Sequence, residues 1–175
     1  MRYITYILIA LMVLIYFFTK MGSTNYTYVN YLLRDLYHAN LIHLISNMLS
    51  FYFLSPLEDI MGHGRYLFSI IFIWILSTTI FYFYQKTTGQ MDKITVGFSG
   101  VIFGLFVVYL SYLGRGASKY NIGILIAILA PQFFMPGISV SGHICGMIAG
   151  FIYVALFENG RIRNFRKTNG LLTNE

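Results

Sequence analysis

Apolar residues fill nearly the whole chain in long blocks parted by brief polar gaps, and the first question is how many blocks can cross a membrane. A helix needs about 20 apolar residues for the hydrocarbon core, with a working range of roughly 17 to 25; six blocks come close. The first, Tyr3 to Phe18, is short, but flanking residues can snorkel or the bilayer can thin. Bulky residues after it (Phe17-Phe18-Thr19-Lys20-Met21) offer no small-residue cleavage site, so it reads as a retained anchor and not as a secretory signal. Gly22 to Asp35 is polar and tyrosine-rich without a helical period, and reads as an interfacial loop. The second span runs from about Leu36 to Leu54 and is stopped by Pro56; Glu58, Asp59, His63 and Arg65 form the next loop. The third, about Tyr66 to Tyr84, is uniformly apolar and carries nothing that suggests chemistry. After the polar stretch Gln85 to Lys93, the fourth runs from near Ile94 to Leu113. The fifth, about Tyr120 to Phe134, is the shortest, interrupted by Pro131 and followed by Pro136-Gly137. The sixth, about Ile138 to Phe157, leads into a basic tail that reads as loosely ordered and interfacial.

Composition agrees with the pattern. Of 175 residues 57% are hydrophobic and only 10% charged, and the mean hydropathy is +0.67, which excludes an ordinary soluble domain. No stretch is left for a second domain, so one membrane domain over residues 1–157 and a short tail over 158–175 are expected. The net charge is +6, but the basic residues are scattered between apolar blocks, which argues against nucleic-acid binding and for orientation by the positive-inside rule. Six spans put both termini on one side. With both cytoplasmic, the inner set is Arg2, Arg65, Arg115, Lys119, Arg161, Arg163, Arg166 and Lys167, against Lys20, Arg34, Lys86 and Lys93 outside, so both termini are expected in the cytoplasm. Cys145, the one cysteine, lies in an apolar run and reads as an inert buried thiol.

Orientation gives the polar residues inside the spans a common level. His43, Ser99 and His143 each fall five or six residues past the outer start of their span, about 8 Å down at 1.5 Å per residue. Intramembrane polar groups face the bundle interior or a wet cavity. His43 and Asn47, four apart, share a helix face that Ser50 continues. Gly100 and Gly104 on the fourth span, and Gly142, Gly146 and Gly150 on the sixth, are spaced for close helix approach. That approach would let the Ser99 hydroxyl reach His143, and a serine needs such a base to become a nucleophile. His43, Asn47 and the Ser99 backbone N–H are candidate donors to an oxyanion. No acidic residue lies at the same depth, so the pattern suggests a Ser/His dyad.

These residues resemble a known family. His43 and Asn47 in His-Ala-Asn-Leu-Ile-His-Leu-Ile-Ser-Asn, Leu57-Glu58, Gly97-Phe98-Ser99-Gly100 and Gly142-His143-Ile144-Cys145-Gly146 are similar, in order and placement, to the motifs of the rhomboid intramembrane serine proteases. The resemblance implies a six-helix all-α membrane bundle, Ser99 as nucleophile, His143 as general base, and His43 and Asn47 at the oxyanion. It implies a structural role for Glu58, an active site reached from the outer side through a water-filled cavity, no cofactor, and single-span membrane proteins as substrates. Two positions depart from the family: Leu33-Arg34 replaces a frequent Trp-Arg in the first loop, and Phe103 replaces a frequent tyrosine under the base histidine.

The competing readings are specific. Taken alone, Ser99 is a packing residue of a helix contact and His143 a satisfied interior histidine. His38 reads as an interfacial contact that could order water at the cavity rim, and His63 as a cytoplasmic loop residue. Zinc would want neighbouring His, Cys or carboxylate ligands, and the carboxylates lie in loops or on the wrong side. A pseudoprotease that binds membrane clients without cutting them would not need to retain both Ser99 and His143. A transporter would want charges along the whole bundle, whereas the polar cluster stops in the outer half.

Overall fold

Where the apolar pattern is unbroken, the helix follows it to the residue: α1 spans Tyr3–Phe18. It opens a computed structural model that describes residues 1–18, 28–91, 95–113, 139–169 and 171. The fifth span expected over 120–134 lies outside the described residues.

Elsewhere polar punctuation moves the boundaries. A short helix, α2 (Tyr28–Arg34), forms inside what reads as a loop. The second span begins at Leu41 and not Leu36, as α3 (Leu41–Phe53), because the Asn40 side chain caps it and accepts from the His43 N–H at 2.9 Å. Pro56 starts a helical turn and a half, α4 (Pro56–Met61), so the expected loop is itself helical. Gly62, at φ +78°, breaks the chain there, and α5 runs over His63–Thr87. The fourth span starts at Ser99, as α6 (Ser99–Leu113), just after Gly97 at φ +113°. The sixth begins at Val140, as α7 (Val140–Tyr153), capped by Ser139, whose hydroxyl accepts from the Gly142 N–H at 3.2 Å.

The chain then continues through one π-helical turn, Val154–Glu158, into α8 (Asn159–Thr168). The basic part of the tail, over Asn159–Thr168, is therefore a helix where a loose segment is expected. Its few apolar residues fall on one face: Ile162 is buried, Phe165 meets the Tyr112 ring edge-on at 5.4 Å, and the Arg166 guanidinium donates to the Ser111 carbonyl.

Helix α5, with 25 residues, and the continuous stretch Val140–Thr168, with 29, are long and apolar enough to cross a membrane; α1 and α6 are shorter apolar helices. Ile7, Leu14 and Phe17 on α1, Ile42, Leu49 and Phe53 on α3, and Phe68, Ile71 and Ile75 on α5 are exposed. Such faces suit lipid, which is as apolar as they are.

The tightest packing is between α6 and α7. A Cβ on Gly146 would lie on the Gly100 carbonyl, and one on Gly150 on the Gly104 carbonyl. In the other direction a Cβ on Gly104 would come within 2.7 Å of the Gly146 oxygen, and one on Gly100 within 3.4 Å of the Gly142 oxygen. The two backbones touch along this ladder, as small residues allow.

The other end of the bundle is held by buried carboxylates. Glu58 accepts from the Ile4 N–H (2.8 Å), the Thr5 N–H (3.0 Å) and the Thr5 hydroxyl (2.7 Å), and pairs with His63 Nδ1 (2.7 Å), which fastens the start of α1 to α4. Glu158, turned inward by the π turn, accepts from the hydroxyls of Tyr112 (2.6 Å) and Tyr153 (3.0 Å) and lies 3.7 Å from Arg65. Burial pushes the Glu58 carboxyl up, but the donors from Thr5, Ile4 and His63 together outweigh it and hold it below the ordinary carboxyl value of 4.5.

Two stability outcomes follow. Gly146→Ala should destabilise the bundle by about 3 kcal/mol or more, since the new methyl meets backbone that cannot turn away. Gly64→Ala, with nothing within 4 Å of the added carbon, should change stability by less than about 1 kcal/mol; unfolding in bicelles compares the two. Because the native value of Glu58 is depressed, its contribution is complete above 4.5 and is lost as the pH falls below that towards the native value. Glu58→Gln should therefore cost about 2 kcal/mol at neutral pH and weaken the loss of stability on acidification, read from the same unfolding measured down a pH series.

Candidate active site

The site is built on the four residues before and into α6. Phe98 is buried, with its ring edge-on to Phe51 at 5.7 Å and to Trp74 at 6.1 Å, and this anchors the loop. Gly97 donates its N–H to the Arg34 carbonyl at 3.2 Å. Its positive φ is one reason for glycine, and space is the other. A Cβ there would come within 2.7 Å of His43 Nε2 and 3.2 Å of Asn47 Nδ2, so both side chains of that α3 face are seated on Gly97. Ser50, expected to extend the face, is exposed.

Ser99 is the first residue of α6, and its Oγ lies 2.8 Å from Nε2 of His143, the fourth residue of α7. With its ring proton on Nδ1, His143 accepts from the Ser99 hydroxyl through Nε2. The imidazole lies nearly parallel to Phe103 (17°), with ring centroids 4.3 Å apart. Phe103, one turn after Ser99 on the same face, thus supplies a flat seat for the ring without a hydroxyl. Gly100 and Gly142, next to Ser99 and His143 in sequence, face each other across the helix contact.

The common level of His43, Ser99 and His143 has a different origin from the one hydropathy suggests. They are not five or six residues down their helices; they sit in the first turns, because the helices start later. The first N–H donors of a helix have no intrahelical acceptor, and the helix dipole favours negative charge there. The Ser99 N–H belongs to that set. Asn47 adds a second kind of donor: its Nδ2 is buried and has no hydrogen-bond partner among the described residues, a state that costs about 1 to 3 kcal/mol.

Three features escape a reading by hydropathy. His38, expected at the interface, is buried with its ring edge-on to His43, centroids 5.2 Å apart. The third span, expected to lack chemistry, sends Ser77 and Thr78 into the same cavity as Ser99 and His143. A helical hydroxyl gives little signal, since it satisfies itself on the preceding turn; Ser77 donates to the Trp74 carbonyl at 3.1 Å. An acidic residue, Asp35, also lines that cavity, from the loop after α2 and not from a span. The cavity holds about 30 Å³, room for a water or two. Among the described residues no three His, Cys, Asp or Glu side chains gather as metal ligands.

Residues 25–159 match the Rhomboid domain family. The chain belongs to the rhomboid family. It is 52% identical over 158 residues to a protein of Acanthamoeba polyphaga mimivirus named as a rhomboid protein, covering 90% of this chain and 92% of that one. It is 29% identical over 154 residues to YdcA of Bacillus subtilis, named as a rhomboid protease, covering 83% of this chain and 75% of the relative. Rhomboid-related protein 4 of Homo sapiens is 28% identical over 137 residues, 70% of this chain and 44% of the human one. Membership makes the chain an integral membrane protein with the all-α bundle of a rhomboid, in a family of intramembrane proteases whose substrates are membrane proteins.

In this rhomboid protein Gly97→Ala is expected to push His43 and Asn47 off the loop. The rate at which Ser99 takes up a fluorophosphonate should fall about 100-fold, the scale of losing an oxyanion donor, while the helical circular dichroism stays unchanged. An unchanged rate would show that these two side chains do not bear on Ser99.

Proposed function

We propose that this protein is an intramembrane serine endopeptidase that cuts single-span membrane proteins in or near their transmembrane segments through a Ser99/His143 dyad. The observation that supports this most is the 2.8 Å contact between Ser99 Oγ and His143 Nε2, within the reach a base needs to activate a serine. Ser99 Oγ attacks the scissile carbonyl while Nε2 of His143 takes its proton. The oxyanion forms beside the Ser99 N–H, His43 and the buried Asn47 amide. The tetrahedral intermediate then expels the amine, which leaves with the proton from His143, and water hydrolyses the acyl-enzyme by the same exchange in reverse. No cofactor takes part.

Gly97, Gly100, Gly104, Gly142, Gly146 and Gly150 serve the approach of the elements that carry these groups, Phe103 seats the base, and Glu58 holds the far end of the bundle. We place residues 1–157 in one membrane domain with the basic segment 158–175 attached. The excess of Lys and Arg on one set of loops supports cytoplasmic termini and a site towards the outer side. A rhomboid that held clients without cutting them would have no use for a serine hydroxyl in contact with an imidazole.

Ser99→Ala and His143→Ala should each abolish cleavage of a membrane-spanning reporter without unfolding the protein, and Asn47→Ala should slow it about 100-fold to 1,000-fold. A fluorophosphonate should label the natural protein and not Ser99→Ala. Full cleavage by either alanine variant of the dyad would overturn the assignment.

A further inference from the structure

The stretch from Val140 to Thr168 is a continuous rod of 29 residues, and its chemistry changes abruptly along its length. From Val140 to Phe157 every exposed side chain is apolar, Phe151, Leu156 and Phe157 among them. Beyond that point α8 carries Arg161, Arg163, Arg166 and Lys167 and neither Asp nor Glu. The apolar part is about 27 Å long at 1.5 Å per residue, close to the roughly 30 Å of a hydrocarbon core. The headgroup layer adds roughly 5 to 8 Å on each side, and Arg161 and Arg163 follow Phe157 by about 6 Å and 9 Å. The first cations therefore leave the hydrocarbon at the depth of the lipid phosphates. Lys167 stands one turn further out. In a helix, however, the Cα–Cβ bonds tilt towards the N-terminus, here towards the membrane, and a long basic side chain runs back along the surface to the interface.

These cations are fixed in place. The inner face of α8 is docked on the end of α6: Ile162 is buried, Phe165 meets Tyr112 edge-on, and the Arg166 guanidinium is committed to the Ser111 carbonyl. Arg163 and Lys167, four residues apart, share the exposed face that this docking leaves. Arg161, also exposed, donates to the Phe157 carbonyl at 2.8 Å, which turns its guanidinium back towards the apolar edge. Because the helix that carries them is already ordered by its packing, an arriving anion does not have to order it.

We propose that the exposed face of α8 binds the headgroup phosphate of an anionic phospholipid, with Arg163 and Lys167 as its principal contacts. Charge and depth together favour a lipid over a soluble anion: the cations follow the apolar, exposed Leu156 and Phe157 on the same rod, so one molecule lays its acyl chains on the apolar part and brings its phosphate to the basic part.

The test titrates the full chain in nonionic detergent with phosphatidylglycerol or with phosphatidylcholine of the same acyl chains, and reads individual bound lipids by native mass spectrometry. A basic residue near an anionic surface is worth about fivefold in affinity, so the natural protein should bind phosphatidylglycerol at least about tenfold more tightly than phosphatidylcholine. Arg163→Gln with Lys167→Gln should cut that ratio at least about fivefold, and Arg163→Lys, which keeps the charge, should retain it. Lys86→Gln, which removes an exposed charge at the last turn of α5, should leave the ratio unchanged. Equal affinities in the natural protein, a preference that survives the double substitution, or an equal loss in Lys86→Gln would each overturn the site. Inorganic phosphate binding as tightly as the lipid would make it a free-anion site and overturn the assignment to lipid. The first comparison needs no variant, so it decides the matter even if the double variant does not fold.

Discussion

The backbone contact between α6 and α7 is the constraint on which the rest depends. Ser99 and His143 are each adjacent in sequence to a glycine of that contact, Gly100 and Gly142. Their 2.8 Å separation is therefore a direct consequence of how closely two helices approach. In lipid no hydrophobic effect draws helices together, and van der Waals packing between small residues must do it. Any side chain at Gly146 or Gly150 would meet the carbonyls of Gly100 or Gly104 before the helices closed. The same glycines that hold the bundle thus set the length of the Ser99–His143 contact.

The two ends of the bundle are satisfied to different degrees. At one end Glu58 and Glu158 take hydrogen bonds from α1, α5, α6 and α7, so each buried oxygen has partners. At the other, Asn47 Nδ2 is buried without one, and the first turn of α6 presents donors that the helix cannot use. Unsatisfied groups cost stability, and a fold tolerates them where neighbouring structure leaves no alternative position. Phe98, wedged by Phe51 and Trp74, and Gly97, pressed against His43 and Asn47, remove those alternatives. The well-bonded end gives the bundle the stability from which the strained end is sustained.

This division also explains what could be read from the chain. The spans were legible because hydropathy over 16 or more residues, as in α1, averages out local detail. Ser99, His143, His43 and Asn47 were legible because polar groups in apolar blocks are rare and their spacing places them on one face. Helix starts were not: Asn40, Ser139 and Gly97 shift three of them inward, since capping and positive φ are single-residue effects that a hydropathy average ignores. Asp35, Ser77 and Thr78 were missed for a topological reason. A loop and a span far from Ser99 in sequence meet it only once α2 has packed against α5, as the Trp74 N–H bond to the Leu32 carbonyl at 3.1 Å shows.

The later helix starts alter the electrostatics and not only the boundaries. Had α3 and α6 begun five residues earlier, and α7 two, the key groups would lie past the first turn, where N–H groups are committed to the preceding turn. In the first turns instead, the groups sit where the dipoles are most positive, and the N–H of Ser99, as the first residue of α6, is one the helix itself does not use. Across the same cavity stands the carboxylate of Asp35, fixed by Thr78. The walls of the cavity therefore differ: helix N-termini stand on the Ser99 side and a hydrogen-bonded carboxyl on the other. Helix ends and a hydrogen-bonded side chain are fixed by the fold itself, and a field that is already in place is the kind that stabilises a developing charge most.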